Sequence, residues 1–178
     1  MRCCRRRCLP CDAERTYPNL LGPLGGERRI SAECLFVDPV ADIAVLGQPD
    51  GQELFEQAGA YDGLIEDVEP LPIGELPATQ DGTALEAPVP DEIGARLLSL
   101  DGRWFSCRAT YTPGNPGPLP LWISGAAEPI RGGMSGSPIV SEDGAAIGIV
   151  CVSNDGGTEG GPNPCLASCL PGWLLRGP

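Results

Sequence analysis

The chain of 178 residues contains no histidine and no lysine, and all 12 of its basic residues are arginine. Without histidine it lacks the side chain whose ordinary pKa suits general-base work near neutral pH, and without lysine it lacks a known substitute. Arginine does not fill the gap, because its guanidinium stays protonated at any working pH. Aromatic residues are scarce, at 5%, and no uninterrupted apolar run is long enough to cross a bilayer. The start, Met-Arg-Cys-Cys-Arg-Arg-Arg, has the charge of an export signal. Pro10, Asp12, Glu14, Arg15 and Pro18 interrupt the next stretch, so it has no apolar core. A cytoplasmic location is the default expectation.

Acid is plentiful. Residues 1–30 hold seven arginines against three acids, whereas the remainder holds five against 21, for a net charge of −12. A body of that sign opposes nucleic acid and anionic membrane, so neither is an expected partner. The arginine-rich start lacks the lysine, aromatics and continuing pattern of a nucleic-acid tail. Nine cysteines are present. Cys8 and Cys11 have the spacing of a zinc or redox pair, and Cys165 and Cys169 form a looser one. With three residues inside the second pair and no histidine to complete a site, no metal is expected. Cys34, Cys107 and Cys151 lie in apolar segments and read as small buried hydrophobes. Reduced thiols are the default without an export signal, and one or two disulfides stay open. No cofactor is implied.

Strand signals dominate the chain, and no internal repeat interrupts them. Residues 31–38 and 41–46 read as strands. Residues 50–67 are acidic and mixed, with a short helix around Leu54-Phe55 and Leu64-Ile65. The prolines of residues 70–92 forbid a long helix there. Residues 95–100 and 103–112 flank Asp101-Gly102 as a hairpin, 119–124 is a further strand, and 112–120 is a loop. A second hairpin joins 138–141 to 145–153 through Glu142-Asp143-Gly144. The glycine-rich stretch 156–164 reads as a flexible loop. Residues 166–176 read as a short helix or tucked segment, with Leu170, Trp173 and Leu174 on a core-facing stripe that Pro171-Gly172 weakens.

Two segments carry chemistry. Gly133-Met134-Ser135-Gly136-Ser137-Pro138 stands directly before the apolar pair Ile139-Val140. Small residues around Ser135 let the backbone turn sharply, so that the N–H groups of Gly133 and Ser135 can converge on one point, as an oxyanion hole requires. Pro138 ends the turn. Taken alone, the hexapeptide is equally an ordinary tight turn. Val40-Ala41-Asp42-Ile43-Ala44-Val45-Leu46 sets a carboxylate among apolar residues, where burial is costly without a hydrogen-bonding partner. The plainer alternative is a strand-entry or turn residue with its side chain in water. Asp38, before Pro39, reads as a turn initiator.

Together the two segments resemble the nucleophile loop and the Asp-Ile-Ala-Val-Leu segment of trypsin-like serine peptidases. The resemblance implies an all-β, trypsin-like double β-barrel, Asp42 coming from the first barrel and Ser135 from the second. It implies Ser135 as nucleophile, Asp42 as the residue that orients an imidazole, and Gly133 with Ser135 as oxyanion donors. The substrate would be a peptide or protein, and neither cofactor nor metal would take part.

The resemblance runs from about residue 32 to the C-terminus. Ala32-Glu33-Cys34 is the nearest echo of the family's Ala-Ala-His-Cys segment, but it lies too close to Asp42 and has no imidazole. Only 41 residues precede Asp42, so the first strands of the N-terminal barrel have no counterpart. The implied organisation is an Arg/Cys-rich start outside the fold (1–30), a remnant of the first barrel (31–69), a Pro-rich crossing (70–92), and the second barrel with the nucleophile loop and a short C-terminal helix (93–178). A composition rich in Arg, Gly, Pro and Ala is that of a GC-rich gene. The start therefore reads as a frame-shifted or misassigned remnant, which the upstream DNA would test.

Met134 and Ser137 depart from the family's commoner Gly-Asp-Ser-Gly-Gly-Pro. In the family the region before the nucleophile lines the specificity pocket; here that is 128–132, with Glu128 either favouring a basic side chain or standing as a solvated loop acid. Two functions fit. One is a serine peptidase by family, close to inert as it stands, since losing a triad member leaves only ~10³ to 10⁴-fold acceleration over water. The other is an inactive pseudo-peptidase that binds a peptide or protein.

Overall fold

The computed structural model describes residues 20–75, 92–112, 120–151 and 156–175. Cys8 and Cys11, most of the Pro-rich crossing, the loop at 113–119 and the last residues of the second hairpin lie outside them.

Before residue 75 the strands form two separate two-stranded ladders. Strand β1 (Leu20–Leu21) pairs antiparallel with β2 (Ile30–Ser31), so that β1 lies inside the stretch 1–30 that composition set apart from the fold and β2 straddles its end. Strands β3 (Glu33–Asp38) and β4 (Ile43–Gly47) pair antiparallel from Glu33 opposite Gly47 to Asp38 opposite Ile43, close to the strands expected from sequence. Ile43 is the only fully buried apolar side chain of this pair. Cys34, expected to be buried, is exposed. A register shift between Cys34 and Phe36 interrupts the in–out alternation of β3, and Leu35 and Val37 beside it also face solvent. Helix α1 (Phe55–Ile65) follows where a short helix was expected and turns Ala58 inward. The chain then reaches the main sheet: Ala146 N–H donates to Pro72 O at 2.7 Å, and Gly74 N–H donates to Ala146 O at 2.9 Å.

The main body is a six-stranded antiparallel sheet of β5 (Ile93–Leu98), β6 (Trp104–Tyr111), β7 (Pro120–Ser124), β8 (Pro138–Ser141), β9 (Ala146–Ile149) and β10 (Gly160–Pro164). Its order is β10-β7-β6-β5-β8-β9. Gly148 in β9 bridges Cys165, just past β10, so the two edges meet and the sheet is a nearly closed barrel. Period-two patterning explains its interior. Along β6, Phe105, Cys107, Ala109 and Tyr111 are buried while Trp104, Ser106 and Arg108 face out. Registers set inward residues opposite one another: Ala95 faces Cys107, Leu97 faces Phe105, and Ala109 faces Ile123. Both predicted hairpins form, β5–β6 across Asp101-Gly102 and β8–β9 across residues 142–144.

Two expectations are corrected. The flexible loop at 156–164 becomes strand over Gly160–Pro164, which pairs with β7. A register shift between Gly160 and Asn163 accommodates the proline-bearing segment, and Asn163, fully buried, returns its side-chain amide to Gly160 O at 3.2 Å. At the C-terminus the helix is two short pieces, α2 (Leu166–Cys169) and α3 (Gly172–Leu175). The break falls at Pro171, whose nitrogen has no hydrogen to donate. Trp173, expected in the core, is 60% exposed. No helix among the described residues is long and apolar enough to cross a membrane.

Candidate functional site

The loop before β8 is built by an inward methionine. Met134 is 2% exposed, its Sδ accepts from Arg131 N–H at 3.4 Å, and its own N–H donates to Arg131 O at 3.1 Å. With that side chain seated in the core, Ser135 next to it is exposed. Ser137 N–H donates to Met134 O at 2.8 Å. Gly136 N–H donates to Val150 O at 2.7 Å, and Val150 N–H returns to Ser137 O at 2.9 Å, so the loop is fastened to the residue directly after β9. Gly133 takes φ 95°, a conformation an L side chain rarely adopts. The N–H groups of Met134, Gly136 and Ser137 are thus used within the fold. Those of Gly132, Gly133 and Ser135 meet no acceptor among the described residues. Exposed N–H donors beside an exposed hydroxyl can take up an oxyanion.

Asp42 lies between β3 and β4. Asp38, the expected turn initiator, caps this turn: one carboxylate oxygen accepts from Val40 N–H at 2.8 Å and Ala41 N–H at 3.1 Å. The chain then enters Asp42 at φ 54°, the only positive φ of a non-glycine among the described residues. Aspartate tolerates this region better than most residues. Asp42 is exposed, as in the plainer alternative, yet it also has a partner. Its Oδ2 accepts the Cys151 thiol at 3.0 Å, from 109 residues away. Burial, reinforced by the Asp42 hydrogen bond and charge, pushes the Cys151 thiol up to about 11. The thiol is therefore protonated at neutral pH and can act as the donor.

Cys151 is itself held, since its N–H donates to Oδ1 of Asn163 at 2.9 Å. It directly follows Val150, which is bonded to the Gly136-Ser137 turn. Asp42, Cys151, Val150 and the Gly136-Ser137 turn therefore form a continuous set of contacts. No hydrogen bond among the described residues joins Asp42 to Ser135. Sequence reasoning missed Cys151 as a partner, reading it only as a small hydrophobe, and it missed Asn163 altogether; an asparagine between two prolines carries no pattern that marks it as buried.

A cavity of about 190 Å³ adjoins this loop, lined by Ser99, Leu100, Asp101, Arg103 and Phe105 on one side and by Glu128, Pro129, Arg131 and Met134 on the other. Leu100 also approaches Gly133, at 3.6 Å from where a Cβ would stand. Glu128 pairs with Arg103 at 3.3 Å, and Arg103 Nε donates to Asp101 at 2.7 Å. The Ser99 hydroxyl and Arg103 hold the Asp101 carboxyl down at about 2. Glu128 is therefore an ion-paired wall residue. Among the described residues, no group of three or more His, Cys, Asp or Glu side chains is placed to hold a metal ion.

The chain matches no protein-family model, no curated protein and no solved structure.

Proposed function

We propose that this chain carries the peptide site of a trypsin-like serine peptidase in a double-barrel form, with the described barrel as the second barrel and the β3–β4 hairpin as part of the first. Ser135 is the nucleophile, Gly133 and Ser135 N–H are the oxyanion donors, and Asp42 is the acceptor that orients a base. The observation that carries this proposal is the Cys151–Asp42 hydrogen bond. It ties the aspartate segment to the residue after Val150, to which the Gly136-Ser137 turn is bonded, although the two motifs lie far apart in sequence.

Turnover needs a base to take the Ser135 proton as its oxygen attacks a carbonyl. With no histidine or lysine in the sequence, the site binds peptides and scarcely cleaves them. That lack favours the second function, a peptide-binding pseudo-peptidase. A fluorophosphonate probe separates the two. Labelling of the purified chain that disappears in Ser135→Ala identifies a residually activated nucleophile. Absence of labelling, together with a cooperative melt, identifies the binding module. Labelling that persists in Ser135→Ala contradicts the assignment of the nucleophile.

A further inference from the structure

We propose that the cavity beside Gly133 binds a carboxylate of the peptide, with Arg131 as its receptor. This inference rests on the proposed peptide site and names its ligand class. The cavity walls carry two arginines and two acids, but they are unequally engaged. Asp101 and Glu128 both pair with Arg103, and Asp101 also receives the Ser99 hydroxyl. Arg131 lines the same cavity, is exposed, and makes no ion pair among the described residues. One guanidinium is thus fixed in the wall and the other is left to meet a ligand.

The remaining lining fits the stem of the same ligand. Leu100, Phe105, Pro129 and Met134 supply apolar surface, on which the methylenes of a glutamate side chain can lie. At about 190 Å³ the space is below the ~300 Å³ at which drug-sized ligands begin to fit, and it suits one side chain. A planar guanidinium takes a carboxylate through two parallel N–H···O bonds, a pairing that an amide of the same shape cannot match. A basic side chain finds both acids already engaged by Arg103. Because Leu100 faces Gly133, a group seated here belongs to a residue close to the bond presented to Ser135. The carboxylate can come from a glutamate side chain or from a peptide C-terminus, and the test separates these sources.

The experiment is fluorescence anisotropy with labelled peptides of one backbone sequence: one with internal Glu and an amidated end, its Gln counterpart, and a Gln peptide with a free C-terminal carboxylate. Each is titrated against the full chain and against Arg131→Gln, whose fold is checked by its melt. The expected result is tighter binding of a carboxylate peptide than of the amidated Gln peptide, and about tenfold or greater weakening of that peptide in Arg131→Gln. Preference for the Glu peptide assigns the side chain; preference for the free-acid peptide assigns the terminus. Equal binding of all three peptides, or a carboxylate preference that survives Arg131→Gln, overturns the Arg131 receptor and leaves the peptide site standing. If no peptide binds, both fail together.

Discussion

At the scale of single residues, the site depends on side chains whose roles come from their neighbours. Asp42 has one identified partner, the Cys151 thiol, and the contact is a donor–acceptor match between a protonated sulfur and a carboxylate. Cys151→Ser keeps a donor and should retain the stability of the wild type. Cys151→Ala removes it and should cost about 1 kcal/mol in chemical denaturation, the usual net worth of a hydrogen bond whose acceptor can turn to water. Equal stability of the two variants would show that the thiol packs without bonding. Ser135, Gly133 and Asp42 were all singled out from sequence because their motifs carry residue types with special backbone or charge behaviour. Met134 was read only as a departure from a motif. In the fold it is the core plug that leaves Ser135 outside, and nothing in a hexapeptide says which way a methionine will point.

At the scale of elements, barrel closure rests on the approach of β9 to the end of β10. Gly148 stands where a Cβ would lie 2.5 Å from Leu121 Cδ1 and 2.7 Å from the Pro164 carbonyl oxygen. One of these is backbone and cannot rotate away. Gly148→Ala should therefore force the edges apart and lower stability by roughly 1–3 kcal/mol, read from the denaturation midpoint. An unchanged midpoint would mean that the edges are not closely packed. The strands of the main sheet were legible wherever apolar alternation met turn chemistry, as in β5–β6 around Asp101-Gly102 and β8–β9 around Asp143-Gly144. Strand β10 was not, because a Gly-Gly-Pro-Asn-Pro segment has neither alternation nor β-forming residues. It is a strand through its pairing with β7 and the buried amide of Asn163, both tertiary effects. Trp173 misled for the opposite reason: its spacing fits a helical stripe, but Pro171 breaks the helix before the stripe can meet the core.

At the scale of the whole molecule, the buried acids of the barrel set an alkaline limit on stability. Burial pushes the Cys107 thiol from 9.0 to about 11 and the Tyr111 hydroxyl from 10.0 to about 12. A raised folded-state pKa means that the protonated form is favoured by the fold. The unfolded chain then loses its protons first as pH rises, and stability falls across that window. The contribution is complete below pH 9 and is lost between about 9 and 12, Cys107 alone accounting for about 3 kcal/mol at the upper end. Denaturation midpoints measured from pH 8 to 11 should fall steadily, and less steeply in Cys107→Ala. A flat profile would place the thiol in water.

In the proposed site Asp42 and Ser135 act together and lack only a base. Free imidazole supplies that base, so the decisive measurement is the rate of Ser135 phosphonylation by a fluorophosphonate, followed by mass spectrometry across an imidazole titration. The expected result is a saturable acceleration confined to Ser135, strongly reduced in Asp42→Asn, which keeps the shape and removes the charge. Acceleration that is linear in imidazole and identical in Asp42→Asn, or modification spread over other serines, would contradict it.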